Sequence, residues 1–202
     1  MNDVRRATVG EVPELAGLLA RAFVGDAIME WTTPEPDREA TIATFFRGFD
    51  APAAEHGWLW TTEGLRGVAL WVPPGSESVS EALTFELGDA VRELLGDAAG
   101  RYDSFWGWAE AARPAEPHWY LDHVAVEASA RGSGVGTALV AHGLRLAAAD
   151  GLPAFLCTSR PDNVSFYERR GFVVERAGDA PDGGPHVWFL RRDPPQPARP
   201  VT

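Results

Sequence analysis

The sequence contains no lysine; all 18 of its basic residues are arginine. This absence excludes chemistry that needs a lysine amine, including the Walker phosphate-binding loop, Schiff-base catalysis and the anchoring of pyridoxal phosphate. Cysteine is almost absent as well, since Cys157 stands alone and cannot form a disulfide within the chain. No set of Cys and His residues has the spacing of a zinc site, so we expect no metal.

Basic charge is scarce relative to acidic charge. The 29 Asp and Glu residues against 18 Arg give a formal net charge of −11, which repels phosphate backbones and anionic membranes. We therefore expect no nucleic acid and no membrane as a partner. No window approaches the roughly 18 apolar residues of a membrane span, and residues 1–6 lack the apolar start of a signal peptide, so we predict a cytoplasmic protein.

Hydrophobic periodicity predicts one domain over residues 1–192 and a Pro-rich, disordered tail over 193–202. The domain mixes strands with helices. Strands are predicted at 4–9, 56–62, 67–72, 119–126, 154–158, 172–176 and 186–191, and helices at 11–23, 35–49, 99–113, 135–150 and 163–170.

Two stretches of this pattern bear on function. Residues 76–117 form a helical insert that is either a lid or a packed flank. Residues 119–170 predict a βαβα unit, whose two strands should be parallel and joined by a right-handed crossover. The apolar stripe of the insert comprises Leu83, Leu87, Val91, Leu94 and Leu95.

A glycine-rich segment, Arg131-Gly132-Ser133-Gly134-Val135-Gly136-Thr137, separates a predicted strand from a predicted helix. Glycines let the backbone approach a ligand, and the N–H groups at a helix start favour an anion, so a phosphate-bearing ligand is the functional interpretation. A turn that merely lets the helix pack on the sheet gives the same pattern. The segment is not a dinucleotide-binding fingerprint, because Thr137 stands at the place of the third glycine.

A second helix start follows in the segment from Ser159 to Phe172, at the carboxyl end of the next parallel strand. Ligands of open α/β sheets bind at that end of the strands. We therefore expect both helix starts to face one crevice.

Three pieces of the chain together resemble the GNAT superfamily of N-acetyltransferases. They are Val124-Ala125-Val126, Arg131-x-x-Gly134-x-Gly136 and Asn163-x-x-Phe166-Tyr167-x-x-x-Gly171-Phe172, in the order and spacing of that family. The resemblance covers nearly the whole chain. It implies an α/β (α+β) GNAT fold, with a central mixed, twisted sheet of about seven strands flanked by helices and a helical insert before the fourth strand.

Within the superfamily, the helical insert and the segment from Pro153 to Ser159 most resemble puromycin N-acetyltransferase-like members. Those members have a glutamate where this chain has Cys157. Because that acid is linked to substrate handling, its loss makes a different acceptor the expectation.

The resemblance implies transfer of the acetyl group of acetyl-CoA (coenzyme A) to an amine, by direct attack in a ternary complex. The cofactor's pyrophosphate would bind the N–H groups of the glycine segment, and its pantetheine arm would pair with the main chain of the strand before it. The N–H group of Val124 would also stabilise charge on the thioester carbonyl. The implied cofactor-binding residues are Val124, Ala125, Val126, Arg131, Gly132, Ser133, Gly134, Val135, Gly136, Thr137, Asn163, Phe166 and Tyr167.

Tyr167 is the implied general acid, since the family uses this tyrosine and a phenol can protonate a departing thiolate. Asn163 could cap its helix as well as bond the pantetheine. Asp122 is the candidate base for the incoming ammonium, and a solvated or salt-bridged strand carboxylate is its alternative. Strand alternation puts Tyr120 and Asp122 on one face with Val124.

Two histidines are interpreted as structural. His123 falls on the opposite strand face from Asp122, where it is packed or at the surface. His142, on the apolar stripe of its helix, is interpreted as a satisfied core residue.

Substrate binding is assigned to Trp31, Trp71, Tyr120 and Cys157, which belong to segments that flank the acceptor side in this family. The excess of aromatic residues beside acidic charge favours a small cationic amine with an apolar body. Two alternatives stay open: acetylation of a protein or peptide, and a non-catalytic sensor that binds acyl-CoA. A homodimer through the closing strands or the helical insert is compatible with the pattern.

Overall fold

The computed structural model describes residues 2–76 and 88–194. The positions Leu83 and Leu87 of the predicted stripe, and the predicted tail beyond residue 194, lie outside the described residues.

Seven strands form one mixed sheet. They are β1 (Val4–Arg6), β2 (Leu59–Thr62), β3 (Gly67–Val72), β4 (Trp119–Val126), β5 (Ala154–Thr158), β6 (Val173–Asp179) and β7 (His186–Arg192). Their order across the sheet is β1-β2-β3-β4-β5-β7-β6. Neighbouring β4 and β5 are parallel, as the sequence predicts, and the other neighbouring pairs are antiparallel. The predicted fold class is confirmed.

Helices cover both faces of this sheet. They are α1 (Val12–Phe23), α2 (Ala27–Thr32), α3 (Arg38–Glu55), α4 (88–95), α5 (Ala99–Glu110), α6 (Val135–Asp150) and α7 (Pro161–Glu168). None of the described helices has the length and apolar character that crossing a membrane would require.

The side chains of β3 show how the two faces are covered. Val68 and Leu70 point to the core beneath α1 and α3, whereas Ala69 and Trp71 point to the core beneath α6. A third cluster lies between α5 and the strands β4, β5 and β7, around Phe105. The sheet therefore separates an α6 side from an α1, α3 and α5 side.

The helix α1 follows directly from the spacing of its apolar residues. Leu15, Leu18 and Leu19 recur at intervals of three and four and are almost fully buried. Burying each of these side chains stabilises the fold by about 1.5–3 kcal/mol. The helix begins with Pro13 in its first turn, where no N–H group is needed.

The first strand is shorter than predicted. It ends at Arg6 rather than at residue 9, because the next residues form a capping box. The N–H group of Thr8 donates to Glu11 Oε2 at 2.9 Å, and this bond turns the chain into a short helical turn.

The sequence analysis does not predict α2 and misplaces α3. α2 begins because Asp26 Oδ1 accepts hydrogen bonds from the N–H groups of Ile28 and Met29, at 3.0 and 3.4 Å. α3 spans 38–55 rather than the predicted 35–49, and it continues through Pro52. The ends of the other elements also move: β2 begins at 59 rather than 56, α5 ends at 110 rather than 113, α7 spans 161–168 rather than 163–170, β6 spans 173–179 rather than 172–176, and β7 ends at 192 rather than 191.

A β-bulge interrupts β4 at Asp122. Leu70 of β3 is paired with His123, but the next residue of β3, Trp71, is paired with Leu121. Asp122 is therefore an extra residue in β4 without a partner in β3.

The bulge reverses the alternation of side chains along β4. Val124 packs on the α6 side, whereas Tyr120 packs in the cluster beneath α5. His123 lies on the same side as Tyr120, with its ring 5.0 Å from that of Phe46. The prediction that Tyr120, Asp122 and Val124 share one face, opposite His123, is therefore wrong, since strict alternation fails at a bulge.

Candidate active site

The glycine segment forms the loop that leads into α6. Gly132 and Gly134 have φ values of +76° and +85°, a conformation that strains any residue with a side chain. The first hydrogen bond of the helix runs from Ala138 N–H to Gly134 O at 2.9 Å. The N–H groups from Gly134 to Thr137 thus have no partner within the helix and favour a bound anion.

Hydrogen bonds from outside the loop fix its shape. Ser133 Oγ donates to Ala130 O at 2.6 Å, and Asn2 Nδ2 donates to Ser133 O at 2.9 Å. Arg66, at the start of β3, donates in turn to Asn2 Oδ1 at 2.9 Å. The loop is therefore tied to β3 through the residue that precedes β1.

Two arginines bring positive charge to this loop. Arg131 is exposed on the loop itself. Arg170, just after α7, donates to Thr137 Oγ1 and to Phe166 O, and its guanidinium carbon lies 3.4 Å from the centroid of the Phe166 ring. Burial, with the charge of Arg169, lowers the pKa of Arg170. Sequence analysis missed Arg170, because its contact with the loop depends on how α7 packs against α6.

The strands β4 and β5 separate beside this loop. Their parallel pairing covers Trp119, Tyr120 and Leu121 of β4 and stops there. From Asp122 to Val126, the edge of β4 that faces β5 has no strand partner in the part of the chain that the structure describes. Main-chain groups along this edge can accept an extended ligand in place of a strand.

Tyr120 of β4 and Cys157 of β5 are in contact where the two strands separate, and Tyr167 of α7 lies near enough to Cys157 for the two to interact electrostatically. The hydroxyl of Tyr120 lies 3.7 Å from Cys157 Sγ. Burial raises the pKa of Cys157 to about 11 and that of Tyr120 well above its usual value. Burial also raises the pKa of Tyr167, and the nearby Cys157 adds to the rise. All three groups are therefore protonated at neutral pH.

Tyr167 is held by aromatic neighbours on α7 and the following turn. Its ring centroid lies 5.2 Å from that of Phe166 and 5.6 Å from that of Phe172. Asn163, on the same helix, does not cap it, because α7 begins at Pro161. Instead, Asn163 Nδ2 donates to Thr158 Oγ1 at 3.2 Å and ties α7 to the end of β5.

A buried histidine lies between two carboxylates. His123 Nδ1 donates to Asp122 Oδ1 at 2.9 Å, and His123 Nε2 lies 3.3 Å from Asp50 Oδ1. The side chain of Asp50 is fully buried and that of His123 is 4% exposed, whereas 32% of Asp122 is exposed. Burial disfavours the imidazolium, but the charges of Asp50 and Asp122 outweigh it and raise the pKa of His123 to about 10.

Of the two sequence interpretations of His123, packed or at the surface, the structure shows the packed one, and the ionic contacts of His123 were missed. Asp50 is distant in sequence, on α3, and only the folded sheet brings it beneath His123. Burial raises the pKa of Asp50, and its interaction with His123 opposes that rise.

The carboxylate of Asp122 also interacts with the positive charge of Arg113. The guanidinium carbon of Arg113 lies 3.9 Å from the ring centroid of Tyr120. Burial disfavours the charge of Arg113, but Tyr120, Glu110 and Asp122 outweigh it and raise its pKa. Two cationic groups, Arg113 and His123, therefore interact with Asp122, which is not surrounded by bulk water alone.

A further carboxylate, Asp26, lies near Cys157. Besides capping α2, it accepts a hydrogen bond at Oδ2 from Ser159 Oγ at 2.9 Å. Burial raises the pKa of Asp26, and Asp26 in turn contributes to the raised pKa of Cys157. Sequence analysis missed this residue, because an aspartate before a short helix has the ordinary signature of a cap.

The two tryptophans assigned to the acceptor have different positions. Trp31 is partly exposed and packs beside the cluster that contains Cys157, with the guanidinium carbon of Arg101 5.9 Å from its ring centroid. Trp71 is fully buried on the α6 side, where its Nε1–H donates to Leu139 O at 3.3 Å. This position is that of a core residue and contradicts the predicted substrate contact of Trp71.

His142 is not the satisfied core residue that the sequence predicts. Its Nδ1 lies 3.3 Å from the guanidinium of Arg145, and its Nε2 is buried without a hydrogen-bond partner among the described residues. Its ring centroid lies 4.0 Å from that of Trp60. The side chain of His142 therefore lies at the partly exposed border between α6 and β2, away from the cluster that contains Tyr120 and Cys157.

The open strand edge beside an anion-binding helix start, with a phenol at the point of separation, defines an acyl-CoA-dependent N-acyltransferase. The chain belongs to the acetyltransferase (GNAT) family, whose sequence model matches residues 25–172. It is a GNAT N-acetyltransferase, and this family uses acetyl-CoA.

Three relatives illustrate the similarity. An uncharacterised N-acetyltransferase of Schizosaccharomyces pombe is 23% identical over 185 residues, which cover 86% of this chain and 75% of that protein. The crystal structure from Corynebacterium glutamicum described as histone acetyltransferase HPA2 and related acetyltransferase has a TM-score of 0.72 and 28% identity, over 98% of this chain and all of that one. The polyamine N-acetyltransferase of Drosophila melanogaster, which forms N-acetylagmatine, has a TM-score of 0.71 and 14% identity, over 96% of this chain and all of that one.

The residues of this chain fit acetyl-CoA. A Cβ atom on Gly136 would lie 3.2 Å from Val126 Cγ2, so the glycine keeps the start of α6 close to the strand edge. The anion-binding N–H groups and the unpaired edge are therefore adjacent, as a ligand with a pyrophosphate and an extended amide arm requires.

Proposed function

We propose that the protein acetylates the primary amine of a small cationic molecule. The observation that carries this proposal is the set of side chains where β4 and β5 separate. Two carboxylates, Asp26 and Asp122, both influence the thiol of Cys157, and aromatic rings surround it. Negative charge beside aromatic surface suits an ammonium attached to an apolar body. The same fold serves a polyamine in the Drosophila enzyme, which supports a small acceptor.

Bound acetyl-CoA supplies an acetyl thioester as the electrophile. Of the N–H groups of the glycine segment, those of Arg131 and Ser133 donate to Ala128 O and Ala130 O, so those from Gly134 to Thr137, with the side chains of Arg131 and Arg170, would hold its pyrophosphate. The main chain from Val124 to Val126 would hold the pantetheine arm along the open edge of β4. The N–H group of Val124 would stabilise charge at the carbonyl oxygen, and its side chain serves only in packing.

Tyr167 is the general acid of this proposal. Its buried phenol stays protonated, because burial raises its pKa, and so it carries a proton to give to the departing thiolate. Asn163 and Phe166, on the same helix, would contact the cofactor and hold α7 in place.

Asp122 is the general base. An amine arrives as an ammonium and must lose one proton before its lone pair can form the new C–N bond. The Asp122 carboxylate is partly exposed, and its charge affects the pKa values of Cys157, Tyr120 and Arg113, so it lies on the proposed acceptor side. The proton passes to Asp122, directly or through a water molecule, as the proton of Tyr167 passes to sulfur.

Acceptor recognition would come from Trp31, Tyr120 and Cys157. Cys157 is a neutral thiol with a pKa of about 11, because burial and the negative charges of Asp122 and Asp26 all disfavour its thiolate. We therefore assign it to the wall of the site and not to nucleophilic attack. Its place in β5 is that of a glutamate in the puromycin group, so we propose an acceptor other than puromycin for this chain.

A panel of amines tests the proposal. CoA release would be measured with agmatine, other diamines, arylalkylamines, puromycin and an N-terminal peptide, each against a no-acceptor control. Turnover of at least one small cationic amine, well above that of the peptide, is expected. Preference for the peptide would support the protein-acetylating alternative, and saturable binding of acetyl-CoA without CoA release for any acceptor would support the sensor.

A further inference from the structure

We propose that His123 and Asp50 are positioning residues for Asp122. The imidazole connects the base on β4 to a buried carboxylate on α3, and so it fixes the direction in which Asp122 faces the acceptor. This inference rests on the proposed function, because Asp122 needs such positioning only if it takes a proton from an amine.

Asp122, His123 and Asp50 lie one after another, with the imidazole between the two carboxylates. Asp122 Oδ1 is engaged at 2.9 Å by His123 Nδ1, which leaves Oδ2 for the acceptor. On the other side of the imidazole, Asp50 is fully enclosed and cannot touch a substrate. The three side chains therefore run from the partly exposed acceptor side into the core.

This arrangement is poorly suited to stability alone. The oxygens of Asp50 and the Nε2 atom of His123 are buried without a well-aligned hydrogen bond among the described residues, although the two groups are 3.3 Å apart. Burying a charge without full hydrogen bonding costs free energy, and apolar residues of similar size would pack there at no such cost. The electrostatic effect on His123, rather than the hydrogen bond, is what Asp50 contributes.

The surroundings of His123 keep it charged. From α3 it meets the carboxylate of Asp50 and the ring of Phe46, and from β4 it meets Asp122. Its raised pKa, about 10, means that both ring nitrogens carry protons at neutral pH. The Nδ1–H group of His123 can therefore donate to Asp122 at neutral pH, whether or not an acceptor is bound.

The charge of Asp122 also affects the pKa values of four other groups, on or after α5, on β4 and on β5. The raised pKa of Tyr102, on α5, is due to burial first and to the charge of Asp122 second. Arg113 lies after α5, Tyr120 lies on β4, and Cys157 lies on β5, and the pKa values of all three respond to Asp122. Of these groups, Arg113 is the only cation, and it lies against Tyr120, so within residues 2–76 and 88–194 only His123 donates a directed hydrogen bond to the base.

Two variants test this positioning role, His123→Gln and Asp50→Asn. His123→Gln keeps a side-chain N–H donor but removes the charge, and we expect kcat to fall about 10- to 100-fold while the KM for acetyl-CoA stays unchanged. Asp50→Asn removes the charge that keeps His123 protonated. We expect the imidazole resonances of His123 to titrate at a lower pH than in the wild type, and kcat/KM to fall above that same pH.

The control is Asp97→Asn, which removes one exposed carboxylate in the turn between α4 and α5. One result would show that the contacts among Asp50, His123 and Asp122 are only structural and that the proposal is wrong. In that result, His123→Gln and Asp50→Asn change only the melting temperature, and kcat/KM depends on pH in the same way for Asp50→Asn and Asp97→Asn. Asp122→Asn with full activity would also overturn it, while acetyl transfer itself would stand. If the wild type acetylates no amine, the proposed function fails, and the titration of His123 then reports a structural ion pair only.

Discussion

The proposed cofactor side and the proposed acceptor side of the site differ in the chemical groups that form them. On the cofactor side, the ligand would meet main-chain N–H groups of one loop and one strand edge. On the acceptor side, the surface consists of side chains from α2, α5, β4, β5 and α7. The cofactor side also carries positive charge from Arg131 and Arg170, whereas the acceptor side carries the carboxylates Asp26 and Asp122.

This difference suits two ligands of opposite charge. An anionic cofactor must bind a protein with a net charge of −11, so its site needs a local field that opposes the global one. A cationic acceptor is attracted by the same global charge. Changes on one side should therefore alter binding of one ligand and leave the other untouched, and four substitutions test that expectation.

Tyr167→Phe should have the largest effect on activity. The change removes the proton donor but keeps the ring between Phe166 and Phe172, so we expect kcat to fall by about a hundredfold or more. The affinity for CoA, measured by titration calorimetry, should stay within error of the wild type. Equal turnover of the two proteins would remove Tyr167 from the mechanism.

Gly143→Ala tests how closely α6 must approach the sheet. A Cβ atom at this position would lie 2.0 Å from Cε2 of the buried Trp71, so we expect the free energy of unfolding to fall by about 1–3 kcal/mol. The midpoint of urea unfolding measures this effect. Gly107→Ala is the matched control, because it lies on α5 with open space around it and should be neutral or slightly stabilising.

Gly134→Ala tests the loop conformation. The φ value of +85° should cost an alanine about 1–2 kcal/mol, either in stability or in a shifted loop. We therefore expect weaker binding of CoA and an unchanged preference among amines. Gly100→Ala, which has open space and no positive φ, should leave the CoA affinity unchanged. A change in amine preference for Gly134→Ala would contradict the separation of the two sides.

Cys157→Ala should have the smallest effect. The pKa of the thiol is about 11, because burial and the nearby carboxylates disfavour the thiolate, so turnover should stay within about twofold of the wild type for small amines. In the same assay, Cys157→Glu should change the order of preference among amines, because it adds a carboxylate beside Asp26 and Asp122. Loss of all activity in Cys157→Ala would show that the thiol takes part in the chemistry.

The two sides also differ in how far the sequence predicts them. The glycine loop, β4, β5 and α6 are local in sequence, and their bounds agree with the prediction. Gly132 and Gly134 have the positive φ values that a loop of this kind needs. Motifs of this sort are readable because one continuous segment supplies the strand, the loop and the start of the helix, whereas Arg170, which lies outside that segment, was missed.

The acceptor side was predicted less well, for physical reasons. One extra residue at Asp122 reverses the strand alternation, and no residue type announces a bulge. Asp50 reaches His123 only because α3 packs under β4, and Asp26 reaches Ser159 across 133 positions of the chain. Trp71 was misplaced because its side of the sheet depends on packing against α6.

The bulge at Asp122 also has an evolutionary consequence. In the proposed function, the residues of β4 before the bulge would contribute side chains to acceptor recognition, and the residues after it would contribute main chain to cofactor binding. Substitutions in the first half can therefore accumulate without disturbing the second, because main-chain contacts are indifferent to side-chain identity. A lineage carrying this bulge can exchange one acceptor for another while it inherits the same cofactor.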